Sequence, residues 1–214
     1  MPAANAVARA ERAALCDLFL EVGPDAPTLC GGWTARDLAA HLVVRERRPD
    51  AAGGIVLPFL AGYTAHVQSG VADQPWEQLV ATVRSGPPGW SPTSIAQIDG
   101  ATNTVEFFVH HEDVRRAQAE WAPRTLDTGT TASLWSAAKG LGRWVGRRSP
   151  VGIVLAPDDG PAAGGTEQVK GGLPHVTLAG PVAEIVLALY GRATQGLDVQ
   201  GDAASVRAFL EYPR

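Results

Sequence analysis

A chain of 214 residues with 45% hydrophobic and 19% charged residues is long enough for one large domain or two small ones, and it should bury a substantial core. The formal net charge of -4 and a pI near 5.7 argue against a nucleic acid partner, because phosphate binding needs a concentrated basic surface. No stretch reaches the roughly 18 unbroken apolar residues of a membrane span, and no secretory leader pattern is present. We therefore expect a cytoplasmic protein.

Helical periodicity runs through the first part of the chain. Apolar residues recur about every 3.6 residues, which predicts amphipathic helices, and Thr34 with Asp37 forms a capping box at the start of the second one. On that helix Leu38, His41 and Arg45 share one face, so His41 should point toward the core. The predicted helices cover residues 3–21, 34–48, 55–69, 76–84, 102–118 and 130–147.

The hydrophobic period changes to about two residues after Pro150. This alternation predicts strands separated by turns rich in Gly and Pro, with two further helices. The change marks a domain boundary, so we predict an α+β fold with a helical bundle at residues 1–149 and a small α+β domain at residues 150–214. The predicted strands cover residues 151–156, 175–179 and 197–200, and the helices cover residues 181–190 and 203–210.

Glu106 and His110 lie four residues apart, so on one helix their side chains face the same way. With His41 from another helix of the bundle, they could bind one divalent metal ion. Two imidazoles and one carboxylate leave a coordination position free, as in catalytic zinc sites. The spacing alone leaves two alternatives open, namely a core histidine that hydrogen-bonds a neighbour and a surface Glu–His pair.

Helical phase separates the residues that follow His110. His111 is turned about 100 degrees away on the helix and cannot share a metal with Glu106. Asp113 could instead accept a hydrogen bond from a ligating imidazole. Glu112 and Asp113 are also weak candidates for a general base in metal-assisted hydrolysis.

The remaining histidines and the two cysteines give weaker signals. We expect structural roles for His66, in a helix, and for His175, at the start of a strand. Two thiols do not make a disulfide framework, so both should be reduced. Cys16 fits a helical apolar pattern and should pack in the core. Cys30, in the loop before the His41 helix, is either an extra soft ligand or a half-buried loop thiol.

Two segments of the chain resemble a known family. Residues 32–42, GWTARDLAAHL, contain the motif Trp-Thr-x-x-Asp-Leu-x-x-His, and residues 106–117, EFFVHHEDVRRA, contain Glu-x-x-x-His. Together and in this order they resemble the DinB-like metal-binding proteins of actinobacteria, which are related to mycothiol-dependent maleylpyruvate isomerase. Residues 187–192 and 201–202 extend the resemblance to the isomerase's sterol-carrier-protein-like C-terminal domain.

The resemblance implies a DinB-like four-helix bundle that binds a divalent metal, usually zinc, followed by a small sterol-carrier-protein-like α+β domain. His41, Glu106 and His110 match the ligand positions of the family. In the isomerase an arginine of the C-terminal domain helps to hold the anionic substrate, which makes Arg192 a candidate for that role, although it could equally cap its own helix. Arg45 is a second candidate.

We therefore expect a zinc-dependent transferase or isomerase that uses mycothiol or another small thiol as cosubstrate. The metal would bind the thiol sulfur at its free position and lower the thiol's pKa. One alternative is a non-catalytic protein in which the metal stabilises a domain that binds a ligand or a partner, and another is a metal-dependent hydrolase. The expected partner is a small-molecule substrate or thiol, and a homodimer stays open.

Overall fold

The computed structural model describes residues 2–55, 57–89 and 103–212, with side chains described from residue 6 onward. These residues form a mixed α+β structure that divides into two compact units, Met1–Ala122 and Pro123–Arg214. The predicted α+β class is confirmed. Along the described part of the chain, no helix is both long enough and apolar enough to cross a membrane.

The first unit is helical. Its helices are α1 (Pro2–Val22), α2 (Ala35–Arg47), α3 (Pro49–Ala52), α4 (Ala61–Ala72), α5 (Trp76–Ser85) and α6 (Thr104–Arg115), and two 3-10 turns, Gly53–Ile55 and Pro58–Leu60, precede α4. α1 packs along α6 and against α5, and α2 packs on α4 and α5. The core between them contains Phe19, Leu38, Leu79 and Phe107, which are fully buried.

The capping box at the start of α2 forms as predicted. The hydroxyl of Thr34 accepts from the amide of Asp37, and the carboxylate of Asp37 accepts from the amide of Thr34 at 2.9 Å. This cap fixes where α2 begins and therefore where His41 lies along it.

Two predicted helices of this unit differ from the structure. The helix predicted at residues 55–69 is wrong at its start, because α4 begins at Ala61 after two 3-10 turns. Pro58 explains the difference, since proline has no amide to donate and disfavours a helical residue before it. The helix predicted at residues 102–118 is observed as Thr104–Arg115, and residue 102 lies outside the described residues.

The second unit combines a four-stranded sheet with helices. Its elements are α7 (Thr128–Gly146), β1 (Gly152–Pro157), β2 (Glu167–Lys170), β3 (His175–Gly180), α8 (Val182–Leu189), β4 (Asp198–Gln200) and α9 (Ala203–Glu211). The strand order is β2-β1-β3-β4, with β1 and β3 parallel and both outer strands antiparallel to their neighbours. Ile153 and Leu155 pair with Val176 and Leu178, and all four are fully buried.

By its contacts, α7 belongs to the second unit. It packs on α8 and β2, and a Cβ added at Gly142 would lie 2.9 Å from Cγ2 of Val169. The predicted boundary at residue 149 followed the change of hydrophobic period, whereas the contacts divide the chain at residue 122, one helix earlier. The domain limits 1–149 and 150–214 therefore stay a prediction.

Candidate metal centre

Side chains from α2 and α6 converge at one point of the first unit. His41 comes from the middle of α2, and Glu106 and His110 come from successive turns of α6. One ligand atom of each lies within 4.8 Å of those of the other two. The exposed fractions of the three side chains are 9%, 13% and 10%. The structure therefore brings together the three residues selected from the sequence as candidate ligands.

Oxygen Oε1 of Glu106 lies at the centre of this group. It is 3.2 Å from Nε2 of His110 and 3.7 Å from Nε2 of His41. Donor atoms on a tetrahedral zinc ion, with bonds of about 2.0–2.2 Å, lie roughly 3.3–3.6 Å from one another. These two separations are close to that range, and the donor set, two imidazole nitrogens and one carboxylate oxygen, suits a divalent metal ion.

Arg45 adds a positive charge beside the same carboxylate. Its Nε lies 3.3 Å from Oε1 of Glu106, and its Nη1 donates to Oδ1 of Asn103 at 2.7 Å. Arg45 follows His41 by one helical turn, so α2 presents both side chains to the group. Asn103, which lies just before α6, was not singled out from the sequence. Arg45, one of the two arginines considered for substrate binding, thus lies beside the candidate metal centre.

Burial and hydrogen bonding shift the pKa of each candidate ligand. Burial by itself raises the pKa of Glu106, but hydrogen bonds with His110 and His41 outweigh it and hold that pKa well below 4.5. Burial also lowers the pKa of His110, but hydrogen bonds with Asp113, Cys30 and Glu106 raise it well above 6.5. For His41 burial prevails, and the pKa falls below 6.5. Without metal, Glu106 is therefore a carboxylate, His110 an imidazolium and His41 neutral.

Asp113 supports His110 from the opposite side of the ring. Its Oδ2 lies 3.1 Å from Nδ1 of His110, which leaves Nε2 to face Glu106, as predicted for a residue behind a ligating imidazole. Sγ of Cys30 donates to the same Oδ2 at 3.0 Å and lies 3.7 Å from Nδ1. Cys30 is therefore on the Nδ1 side of the ring, away from the nitrogen that belongs to the candidate centre.

The two residues that follow His110 face other partners. Nδ1 of His111 lies 2.9 Å from a carboxylate oxygen of Glu11 on α1, in agreement with the helical phase. Glu112 accepts from both arginines at the end of α6, at 2.8 Å and 2.7 Å. Neither side chain is directed at the candidate centre.

An open cleft of about 480 Å³ borders His41 within the first unit. Trp33 forms its wall beside the centre, with ring centroids 5.1 Å apart between Trp33 and His41. Trp33 was not singled out as a site residue, although it precedes the capping box of α2 and belongs to the Trp-Thr-x-x-Asp-Leu-x-x-His motif. Polar side chains that also line the cleft are Arg36, Asp37, Thr64, Gln68, Ser69 and Asp73.

Arg192 lies at the end of α8, in the second unit. Its amide donates to the carbonyl of Leu187 at 2.9 Å, and its Nη1 donates to the carbonyl of Tyr190 at 3.4 Å. Both contacts satisfy carbonyl groups at a helix end. They support the alternative in which Arg192 caps its own helix.

The other residues singled out from the sequence have ordinary environments. His66 is exposed on α4, and His175 is exposed at the start of β3. Cys16 is fully buried, and burial raises its pKa to about 11. A thiol of that pKa in the core packs like a small apolar side chain, as predicted.

No family model and no curated protein matches the chain. Among solved structures, the chain is similar to the crystal structure of the mycothiol-dependent maleylpyruvate isomerase, with a TM-score of 0.61 and 16% sequence identity over 92% of this chain and 91% of that chain. It is similar to a histidine-to-alanine mutant of that isomerase, with a TM-score of 0.60 and 17% identity over 92% and 91% of the two chains. The chain therefore has the fold of the mycothiol-dependent maleylpyruvate isomerase, and the resemblance inferred from its motifs is confirmed at the level of the fold.

Proposed function

We propose that this protein binds a divalent metal ion, zinc by its donor set, through His41, Glu106 and His110, and that it is a transferase or isomerase acting on a small thiol held at that ion. The observation that carries the proposal is the convergence of the three donor atoms within 4.8 Å. This donor set leaves a coordination position for an external ligand, as in catalytic zinc sites. The fold shared with a mycothiol-dependent isomerase favours a thiol as that ligand.

The residues around the centre have separate tasks. A divalent ion bound here would lower the pKa of a thiol and favour its thiolate at neutral pH. Asp113 holds the ring of His110 so that Nε2 faces the centre. Arg45 would present its guanidinium to an anionic substrate, and the ring of Trp33 packs beside the ring of His41.

The charges of the site favour an anionic ligand. Glu106 and Asp113 contribute two negative charges, whereas Arg45 and a divalent ion contribute three positive charges. The excess of one positive charge lies among side chains that are at most 14% exposed, where an uncompensated charge is unfavourable. A thiolate or a carboxylate at the open position neutralises it, whereas a neutral ligand does not.

The two alternatives from the sequence have less support. A closed structural site would need a fourth protein ligand, but Cys30 lies on the Nδ1 side of His110. Hydrolysis would need a free general base, but Glu112 is paired with two arginines and Asp113 accepts from both Cys30 and His110. Thiol chemistry therefore stays the leading proposal.

We also propose how the helices and the sheet of the two units are arranged. The helices of the first unit correspond to a DinB-like four-helix bundle, and the sheet of the second unit with its helices corresponds to a sterol-carrier-protein-like domain. The packing of α1 on α6 and α5, and of α2 on α5, supports a bundle. In this proposal the protein is a cytoplasmic enzyme, mycothiol is the thiol, and the second substrate is a small electrophile.

Elemental analysis tests the metal centre. Protein purified without added metal should carry about one equivalent of zinc, and His41→Ala and His110→Ala should lose it. His111→Ala is the matched control, because His111 is the next residue and equally buried but pairs with Glu11, so this variant should keep its zinc. Unchanged zinc in His41→Ala or His110→Ala would remove that residue from the site.

Cobalt substitution tests the thiol. Addition of mycothiol or another small thiol to the cobalt-loaded protein should produce a thiolate-to-cobalt charge-transfer band, because sulfur would enter the open position. Thiol transfer is then measured with a panel of small electrophiles. Metal-loaded protein that neither binds nor transfers a thiol would contradict the enzymatic proposal and leave the metal centre standing.

A further inference from the structure

One carboxylate oxygen receives two hydrogen bonds behind the candidate ligand His110. Oδ2 of Asp113 lies 3.1 Å from Nδ1 of His110 and 3.0 Å from Sγ of Cys30. Asp113 is fully buried, and Cys30 is half-buried. The thiol and the imidazole therefore donate to the same oxygen within a confined space, and a change at one donor alters the acceptor of the other.

The backbone of the Cys30 loop holds the thiol in this place. The amide of Leu29 donates to the carbonyl of Asp113 at 3.0 Å, so the loop is bonded to Asp113 through both main chain and side chain. The amide of Cys30 donates to the hydroxyl of Thr28 at 3.1 Å, and its carbonyl accepts from the amide of Trp33 at 2.9 Å. Cys30 thus reaches Asp113 from a fixed turn and not from a freely moving segment.

The distances distinguish a hydrogen-bonded triad from a second metal site. Cys30, His110 and Asp113 also have ligand atoms within 4.8 Å of one another. A sulfur and an oxygen bound to one zinc ion lie about 3.5 Å apart, since zinc–sulfur bonds are about 2.3 Å long. The observed separation of 3.0 Å between Sγ and Oδ2 is that of a hydrogen bond.

We propose that Cys30 is a positioning residue for the metal centre, acting through Asp113. This inference rests on the proposed function, because it concerns how His110 binds the ion. The S–H group of Cys30 fixes Oδ2 where it accepts the Nδ1 proton of His110, and that hydrogen bond sets the tautomer in which Nε2 is free to bind metal. The role requires a hydrogen-bond donor at residue 30 and no bond between sulfur and metal.

Metal affinity of the full-length protein, measured by competition with a chromophoric zinc chelator, tests the role. Asp113→Asn should weaken zinc binding about 10-fold to 100-fold, as loss of a carboxylate behind a ligating histidine does. Cys30→Ala should weaken it about 2-fold to 10-fold, the equivalent of one net hydrogen bond. Cys30→Ser should restore most of the affinity, because the hydroxyl also donates.

The double variant Cys30→Ala with Asp113→Asn shows whether the effect passes through Asp113. Its affinity should equal that of Asp113→Asn alone, because the thiol then has no carboxylate to position. Cys16→Ala is the control for loss of a thiol, since Cys16 lies in the core, and it should change stability without changing zinc affinity. Additive losses in the double variant, or unchanged affinity in Cys30→Ala, would overturn the proposal.

Two further measurements separate this inference from the proposed function. A thiolate-to-cobalt band in the wild type that disappears in Cys30→Ser would make Cys30 a ligand and overturn the positioning role. Should the wild type bind no metal, the proposed function fails and the role of Cys30 at a metal centre fails with it. Where metal binds, the hydrogen bond through which Cys30 acts is also tested in the metal-free protein by the Nδ1–H signal of His110 in NMR spectra. That signal should be kept in Cys30→Ser and shifted or broadened in Cys30→Ala; an unchanged signal in Cys30→Ala overturns the role.

Discussion

The imidazole of His110 lies between two carboxylates, with Nε2 3.2 Å from Glu106 and Nδ1 3.1 Å from Asp113. Burial opposes its charge, but these hydrogen bonds, with that of Cys30, raise its pKa well above 6.5. In the metal-free protein at neutral pH, Nε2 therefore carries a proton. A metal ion can bind that nitrogen only when the proton leaves, so binding should be coupled to proton release.

The number of protons released when the metal binds follows from the pKa shifts of His110, His41 and Glu106. His110 should release about one proton per metal ion, and zinc affinity should rise about tenfold per pH unit, or about 1.36 kcal/mol, between pH 6.5 and its raised pKa. Burial lowers the pKa of His41 below 6.5, so it is already neutral in this range. Glu106, with a pKa held well below 4.5, is already ionised. Neither His41 nor Glu106 therefore releases a second proton when the metal binds.

The raised pKa of His110 also predicts that the stability of the metal-free protein falls as the pH rises, opposite to the trend of its zinc affinity. A raised pKa in the folded state stabilises the fold fully below the unfolded value of 6.5, and that contribution is lost as the pH rises through the folded pKa of His110. Metal-free protein should therefore lose stability over the pH range in which metal affinity increases. Thermal unfolding with and without zinc across this range measures both trends.

Isothermal titration in buffers of different ionisation enthalpy counts the released protons. Wild type should release about one proton at pH 7 to 7.5. Asp113→Asn should release less, because it removes the main hydrogen bond that raises the pKa of His110. Asp25→Asn, an exposed substitution of the same kind, is the control and should behave as wild type. Zinc binding without proton release in the wild type would refute the charge assignment of the site.

Three further predictions concern the scaffold. Glu46→Gln leaves the buried guanidinium of Arg12 without its carboxylate and should lower the free energy of unfolding by about 3–5 kcal/mol in urea titrations; a loss below about 1 kcal/mol would contradict the pairing. Thr34→Ala removes the cap of α2 and should cost about 0.5–2 kcal/mol in thermal unfolding, whereas Thr34→Ser should be close to neutral. Cys16, with its pKa raised to about 11, should be alkylated at about pH 8 only after unfolding, and mass spectrometry that shows rapid labelling of the native protein would contradict its burial.

The elements that could be predicted from sequence are those with local signals. The capping box at Thr34 fixed the start of α2, and the alternation of apolar residues predicted β1 and β3. β2 was missed because Glu167–Lys170 contains one apolar residue, Val169, whose burial depends on the close approach of α7 at Gly142. Contacts of that kind are tertiary and leave no periodic pattern in the strand itself.

For the candidate centre, too, local features could be predicted from the sequence and tertiary features could not. Helical phase was enough to choose His110 over His111, because both belong to one helix whose geometry is known. Whether His41 lies beside Glu106 and His110 depends on where the bundle places α2 relative to α6. The residue spacing only suggested that placement, and the family motifs supported it. The side of the imidazole on which Cys30 lies depends on the turn of its loop, and no spacing rule predicts it.

The groups around the centre also indicate how an external ligand reaches it. Asp113 and Cys30 occupy the Nδ1 side of His110, and Arg45 occupies one side of the Glu106 carboxylate. Among the described residues, the open space of about 480 Å³ lies beside His41 and Trp33. Of the three candidate ligands, His41 lines this space, so in the proposed function a thiol with a polar body would approach the centre from the His41 side and lie along the cleft. A purely structural metal would not require such a space beside one of its ligands.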